Sequence, residues 1–336
     1  MFMRRFSFLF PLLFCCTYGF SQQADSAATK RGDSLLLKAL PTDSLAPFST
    51  TEDYRLSARE FIHLQAGSIK EAFLKPFHMS GRNWADAGKF ALVLGALSFA
   101  DRPVQELALD LRNANQGLVD VSHQVTRFGG PYVVYAMGAL GAYSFLLKKE
   151  KLPMGALGAY SFLLKKEKLQ TTTLLSVQAF ITSGLLERTV KLIAGRQRPF
   201  IISSPKGGPE PIFHGPVYVL RERREDRVGS SFPSGHTTAA FAVATVFAET
   251  YKEKPWIPVV AYSTAGLVGL SRLTENKHWL TDVVAGAALG YVSGKLVVKN
   301  YRRYAGLRAA KAQKTKLNVT VALNQGVITP GFVYRF

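Results

Sequence analysis

Between residues 131 and 298 the chain alternates long apolar runs with polar stretches. The runs cover 131–147, 171–190, 237–250, 256–270 and 279–298, each about 14–20 residues. At about 1.5 Å per helical residue they are marginal to adequate for the ~30 Å hydrocarbon core of a bilayer. They are rich in Gly, Ala, Ser and Thr, the residues that let helices approach closely in lipid. The pattern predicts an all-α, multi-helix membrane bundle, with a soluble helical core as the alternative. An earlier run, 89–100, is twelve residues long and stops at Asp101-Arg102-Pro103. Residues 61–88 and 103–128 carry amphipathic helical patterning, so 61–130 reads as short helices that precede or start the core. Residues 200–232 are rich in Pro and Gly and carry Arg221, Arg223, Arg224 and Arg227, which predicts a long polar loop. The tail 299–336 is first basic, then alternating and β-branched (LNVTVALNQGVITPGFVYRF), which predicts a strand or hairpin.

The start of the chain changes the picture. Arg4 and Arg5 precede an apolar stretch from Phe6 to Phe20, followed by Ser21, the order of a secretory signal peptide over 1–21. Residues 22–60 are polar and read as a flexible exported arm. Cys15 and Cys16 are the only cysteines and leave with the signal, so neither a disulfide nor a thiol nucleophile is expected afterwards. The stretch MGALGAYSFLLKKEKL at 137–152 recurs letter for letter at 154–169. Identical copies so close together indicate a recent tandem duplication or an error in the sequence. The second copy has too few apolar residues to cross a membrane.

A net charge of +19 points to an anionic partner. No nucleic-acid module, zinc spacing or RNP-like motif is present, which leaves a phosphorylated substrate and the membrane surface as partners. The sequence is silent on oligomeric state.

Three stretches carry candidate chemistry, each at the end of an apolar run. In Lys191-Leu-Ile-Ala-Gly-Arg-Gln-Arg198-Pro199 two cations stand seven apart, a spacing that lets them share one face of a helix ended by the proline. In Pro233-Ser234-Gly235-His236 a good N-cap residue, a glycine and a histidine open a helix, where free N–H groups attract anions. In Ser271-Arg272-x5-His278-x3-Asp282 a histidine and a carboxylate are four apart, so the carboxylate can orient the imidazole, and Arg272 offers a planar fork for phosphate oxygens.

K-x6-RP, PSGH and SR-x5-H-x3-D in this order resemble the type 2 phosphatidic acid phosphatase (PAP2) superfamily, over roughly 131–298. That superfamily includes membrane lipid phosphatases, soluble periplasmic acid phosphatases and vanadium haloperoxidases. The resemblance implies that His278 attacks phosphorus, oriented by Asp282, to give a phosphohistidine. His236 protonates the leaving oxygen and then activates water. Lys191, Arg198, Arg272, Ser234 and the Gly235 amide hold the phosphoryl oxygens, with no metal ion and no other cofactor. The expected function is a metal-independent hydrolase acting on a lipid phosphate or diphosphate at the periplasmic face of a bacterial inner membrane. The alternatives are a soluble periplasmic acid phosphatase, a haloperoxidase, and a non-catalytic lipid-binding scaffold. An exported N-terminus needs an even number of crossings before Lys191, whereas the resemblance implies six helices with 89–100 as the first. The sequence leaves both topologies open.

Overall fold

The computed structural model describes residues 56–130, 135, 139, 166–201, 212–216, 230–314, 317–324 and 327–334. The expected signal peptide, most of the polar arm, the helix expected at 131–147 apart from two positions, nearly all of the duplicated stretch and most of the 200–232 loop lie outside these residues.

The described chain is helical up to residue 314. Helix α1 spans Ala58–Leu74, starting inside the stretch read as arm, because Ser57 and Glu60 form a reciprocal capping box. A 3₁₀ turn (Lys75–His78) leads to α2 (Gly81–Ser98), then α3 (Asp101–Ala114) and α4 (Gln116–Arg127). The long α5 covers Lys166–Ala194. After a 3₁₀ turn at Pro199–Ile201 come α6 (Gly235–Thr250), α7 (Trp256–Thr274) and α8 (Leu280–Lys314). The chain ends in an antiparallel hairpin of β1 (Leu317–Asn324) and β2 (Val327–Tyr334), with Leu317 opposite Tyr334. The alternating tail predicts this hairpin. The run at 89–100 proves to be the second half of a longer helix, since α2 begins at Gly81 behind the Ser80 cap.

Helix α6 is the centre of the bundle and packs on α8, α7 and α5. Its approach to α8 is set by glycines one turn apart on α8, a small-residue spacing that lets backbones touch. A Cβ at Gly286 would lie 2.7 Å from the Ser234 carbonyl oxygen, one at Gly290 2.3 Å from that of Thr238, and one at Gly294 2.7 Å from that of Ala242. Ala242, Val246, Leu175, Ala179, Val297 and Val298 close the apolar core beside this seam. Helix α1 is fastened from outside. Gln178 Nε2 donates to the Phe61 carbonyl (2.9 Å), and Glu60 accepts from Tyr304 and pairs with Arg308 on α8. Hydroxyl pairs join α4 to α7: Ser122 with Thr274 (2.7 Å) and Thr126 with Ser271 (2.8 Å).

Candidate active site

The C-terminal ends of α5 and α7 and the N-terminal ends of α6 and α8 hold the expected site residues, and local backbone geometry aims each one. Helix α5 stops at Ala194, and Gly195 takes φ +56°, a left-handed conformation that glycine adopts without strain. A Cβ there would also sit 2.3 Å from the Gly215 carbonyl oxygen. Lys191 and Arg198 therefore do not share a helix face. Lys191 lies in the last helical turn, and Arg198 follows the break in an extended segment in which Arg196 bridges Phe213. The two cations still meet, because both reach one carbonyl. Lys191 Nζ donates to the Ser230 carbonyl at 2.8 Å, and Arg198 reaches the same oxygen at 3.5 Å and the Ser230 hydroxyl at 3.3 Å.

Ser234 occupies the N-cap position of α6, but its hydroxyl caps nothing. It accepts instead from Thr237 Oγ1 at 2.9 Å, while its own N–H is held by the Asp282 carbonyl at 2.9 Å. The start of α6 is thus left without a side-chain cap, which suits an incoming anion. Gly235 lets Glu187 approach closely, since a Cβ would lie 2.7 Å from Glu187 Oε1 and push aside the carboxylate that holds Lys191 at 2.8 Å. His236, half-buried in the first turn of α6, is covered by the Gly129–Gly130 turn after α4. A Cβ on Gly130 would come within 3.0 Å of His236 Nε2.

His278 and Asp282 are four apart, yet only Asp282 is helical. His278 precedes α8, following a turn that passes through Asn276 at φ +58°. His278 Nδ1 faces Asp282 Oδ2 at 3.5 Å, an ion-pair distance without hydrogen-bond geometry, and both side chains are buried. Asp282 also accepts from the Trp279 N–H (2.9 Å) and the Ser231 hydroxyl (2.5 Å), so its carboxylate is fixed from three sides. Arg272, in the last turn of α7, is buried, pairs with Glu275 and donates to Thr126 at 3.3 Å. His123 on α4 approaches Glu275 at 3.4 Å, one step from Arg272, a link that its place in the sequence does not announce.

The groups converge electrostatically. Burial first, then Arg272, Lys191 and Arg198, push His236 down to about 4. Burial pushes His278 down to about 3, with Lys191 and Arg198 acting in the same direction and Asp282 opposing. At these values both imidazoles are neutral at pH 7, facing fixed positive charge. A neutral imidazole beside a carboxylate is a nucleophile, and converging cations around a bare helix start form an oxyanion site. Among the described residues no three His, Cys, Asp or Glu side chains cluster as a metal site needs.

Two buried partners escape the motif spacing. Arg196 hides inside the x6 of the first motif, and Asp101 lies 181 residues before Asp282. For Arg196 the sequence offers no signal beyond its charge, because its inward turn depends on the break at Gly195 and on the helices it meets. For Asp101 the signal was a charge at the end of an apolar run, costly at a membrane boundary unless paired.

Residues 172–305 match the PAP2 superfamily. The lipid A 1-phosphatase of Porphyromonas gingivalis is 44% identical over 77 residues, 23% of this chain and 17% of that protein. The probable diacylglycerol pyrophosphate phosphatase 1 of Schizosaccharomyces pombe is 29% identical over 135 residues, 34% of this chain and 48% of that protein. The match thus spans less than half of either curated relative. Among solved structures, the transmembrane PAP2 type phosphatidylglycerolphosphate phosphatase of Bacillus subtilis shares 21% identity, with a TM-score of 0.42, over 72% of this chain and 96% of that one. Every expected site residue, from Lys191 to Asp282, falls inside the stretch that matches the PAP2 superfamily.

Proposed function

We propose that the protein is a metal-independent phosphatase that hydrolyses a lipid phosphate or diphosphate through a phosphohistidine. The observation that carries this reading is His278, buried and neutral, with Nδ1 turned to a fixed carboxylate and three cations acting on the histidine across the site. With Nδ1 on the side of Asp282, Nε2 is the attacking atom. It forms a bond to phosphorus as the ester or anhydride oxygen leaves with a proton from His236. His236 then takes a proton from water, which attacks phosphorus and breaks the P–N bond. Lys191, Arg198, Arg272 and the uncapped start of α6 hold the equatorial oxygens, where charge builds up. The named activities of the two curated relatives, on lipid A and on diacylglycerol pyrophosphate, fit this substrate class.

On this reading the site lies at the outer face of a bacterial inner membrane. All site residues gather at one end of α5–α8. The other end carries Lys252, Lys254 and the basic continuation of α8, the charge bias of a cytoplasmic side. The stretch Leu280–Arg308 is long and apolar enough to cross a membrane. Helix α2 has no buried residue, and apolar side chains such as Leu92 (76% exposed) face outward, which favours lipid over water around it. The test is phosphate release by purified protein from a panel of lipid phosphates and soluble esters, with and without chelator. Lipid esters turned over equally in both conditions support the reading. Turnover that requires added metal, or of soluble esters alone, overturns it.

A further inference from the structure

Behind His278 and Asp282 lies a closed polar cluster built from three separate parts of the chain. Arg196 is 1% exposed and Asp101 is 0% exposed. One arm of the Arg196 guanidinium donates to Asp282 Oδ1 (2.5 Å) and to Thr281 Oγ1 (2.6 Å), and the other to Asp101 Oδ2 (2.5 Å). Asp101 uses its remaining capacity on Thr281, accepting from its N–H at 2.9 Å and from its hydroxyl at 2.7 Å. The Arg196 guanidinium also lies over the rings of Phe213 and Trp279, 4.7 and 5.5 Å from their centres, which holds its plane. Asp101, at the start of α3, thereby supplies an acceptor for the first turn of α8 from a different helix.

Two buried carboxylates share one guanidinium, and that ratio has a consequence. An Arg196 paired with Asp282 alone would cancel the negative charge that His278 needs when its ring becomes cationic. Asp101 draws half of the guanidinium away and leaves the cluster one charge negative. We infer that Asp101 and Arg196 are positioning residues for the nucleophile, Arg196 fixing the Asp282 carboxylate and Asp101 keeping that carboxylate effective as the counter-charge of His278. This deepens the phosphohistidine reading and rests on it. It also makes the nucleophile dependent on a residue outside the stretch that matches the superfamily.

The test uses full-length protein in detergent, with phosphate release from a lipid phosphate and from an aryl phosphate as the readout, normalised to folded protein. Asp101→Asn keeps the shape and removes the charge. The expected result is a 10- to 100-fold lower kcat on both esters, with KM within threefold of the parent. Arg196→Lys, which keeps charge without the fork, is expected to retain more kcat than Arg196→Met. Should the Asp101 or Arg196 variants fail to fold, Thr281→Val removes the hydroxyl shared by both and leaves all charges, with kcat expected to fall three- to tenfold. Parental kcat in folded Asp101→Asn or Thr281→Val, or a loss that falls entirely in KM, overturns the inference. The phosphohistidine reading is judged separately by His278→Ala. If that variant stays active the mechanism itself falls, and if it is dead while Asp101→Asn is unimpaired only the positioning role falls.

Discussion

His236 and His278 share a residue type and a low proton affinity, but the site asks different things of them. In the proposed mechanism His278 attacks as a neutral ring, and burial holds it near 3. In the same mechanism His236 takes up a proton before giving one to the leaving oxygen, and burial and the surrounding cations hold it near 4. Each negative charge of a bound anion about 4 Å away returns about 4 kcal/mol at an effective dielectric of 20, or ~3 pKa units. Anion binding at pH 6 is therefore expected to draw about one proton onto His236. Sulfate, which holds no proton at that pH, is the probe, and titration calorimetry in buffers of different ionisation enthalpy is the measurement. His236→Asn should abolish the uptake. In turnover, His278→Ala is expected to lose at least ~10³-fold and to trap no radiolabelled phosphate. His236→Ala is expected to lose ~10²–10⁴-fold on lipid esters and much less on a p-nitrophenyl ester, whose leaving group needs no proton.

At the same scale, the eight expected site residues were legible because each stands in a short motif with fixed spacing. The backbone between them was not. Helical spacing suggested that Lys191 and Arg198 share a face, and the left-handed Gly195 turns the chain away before Arg198 is reached. Ser234 has the chemistry of a cap, yet Thr237 takes its hydroxyl. Arg196 has no local signature, and Asp101 only a charge at the end of an apolar run, since a buried ion pair depends on which helices meet.

Among the elements, the seam between α6 and α8 decides whether there is a site at all. It brings the start of α6, with His236, against the first turns of α8, with Asp282. The sequence shows Gly, Ala and Ser throughout these runs, but which glycines face a neighbour is set by packing. Gly290→Ala is expected to destabilise the protein by about 1–3 kcal/mol, because the added methyl has no room beside Thr238. Gly306→Ala, further along the same helix with nothing within 4 Å of the added methyl, should be neutral or stabilising by up to ~1 kcal/mol. Thermal unfolding of the two variants in detergent compares them directly, and equal shifts would remove the seam from the explanation.

For the whole molecule, the apolar runs announced the helices from α5 onward, and the terminal hairpin followed from alternation. The run at 89–100 was too short to cross because only its apolar half was visible as a pattern. As α2 it extends over 18 residues, about 27 Å at helical rise, but Arg82, Asp86 and Lys89 occupy its first half, so only the second half is apolar. Exposed Leu92 and Phe99 on and just after α2, Val259 and Leu267 on α7 and Val292 on α8 have no described partner to cover them, as expected of side chains that face lipid. The protein is expected to stay in the membrane pellet through high-salt and alkaline carbonate washes and to leave it only with detergent. Release by salt would instead favour the soluble periplasmic enzyme.

The pairing of Asp101 with Arg196 also sets how short this protein can be made. A chain trimmed to begin at residue 172 would keep Lys191, Arg198, His236, Arg272, His278 and Asp282, and by motif it would look complete. It would nonetheless carry a buried guanidinium with half its fork empty and a first turn of α8 missing an acceptor. If Asp101 positions the nucleophile as inferred, the smallest functional unit of this protein is expected to start no later than Asp101, well upstream of the point where its family likeness begins.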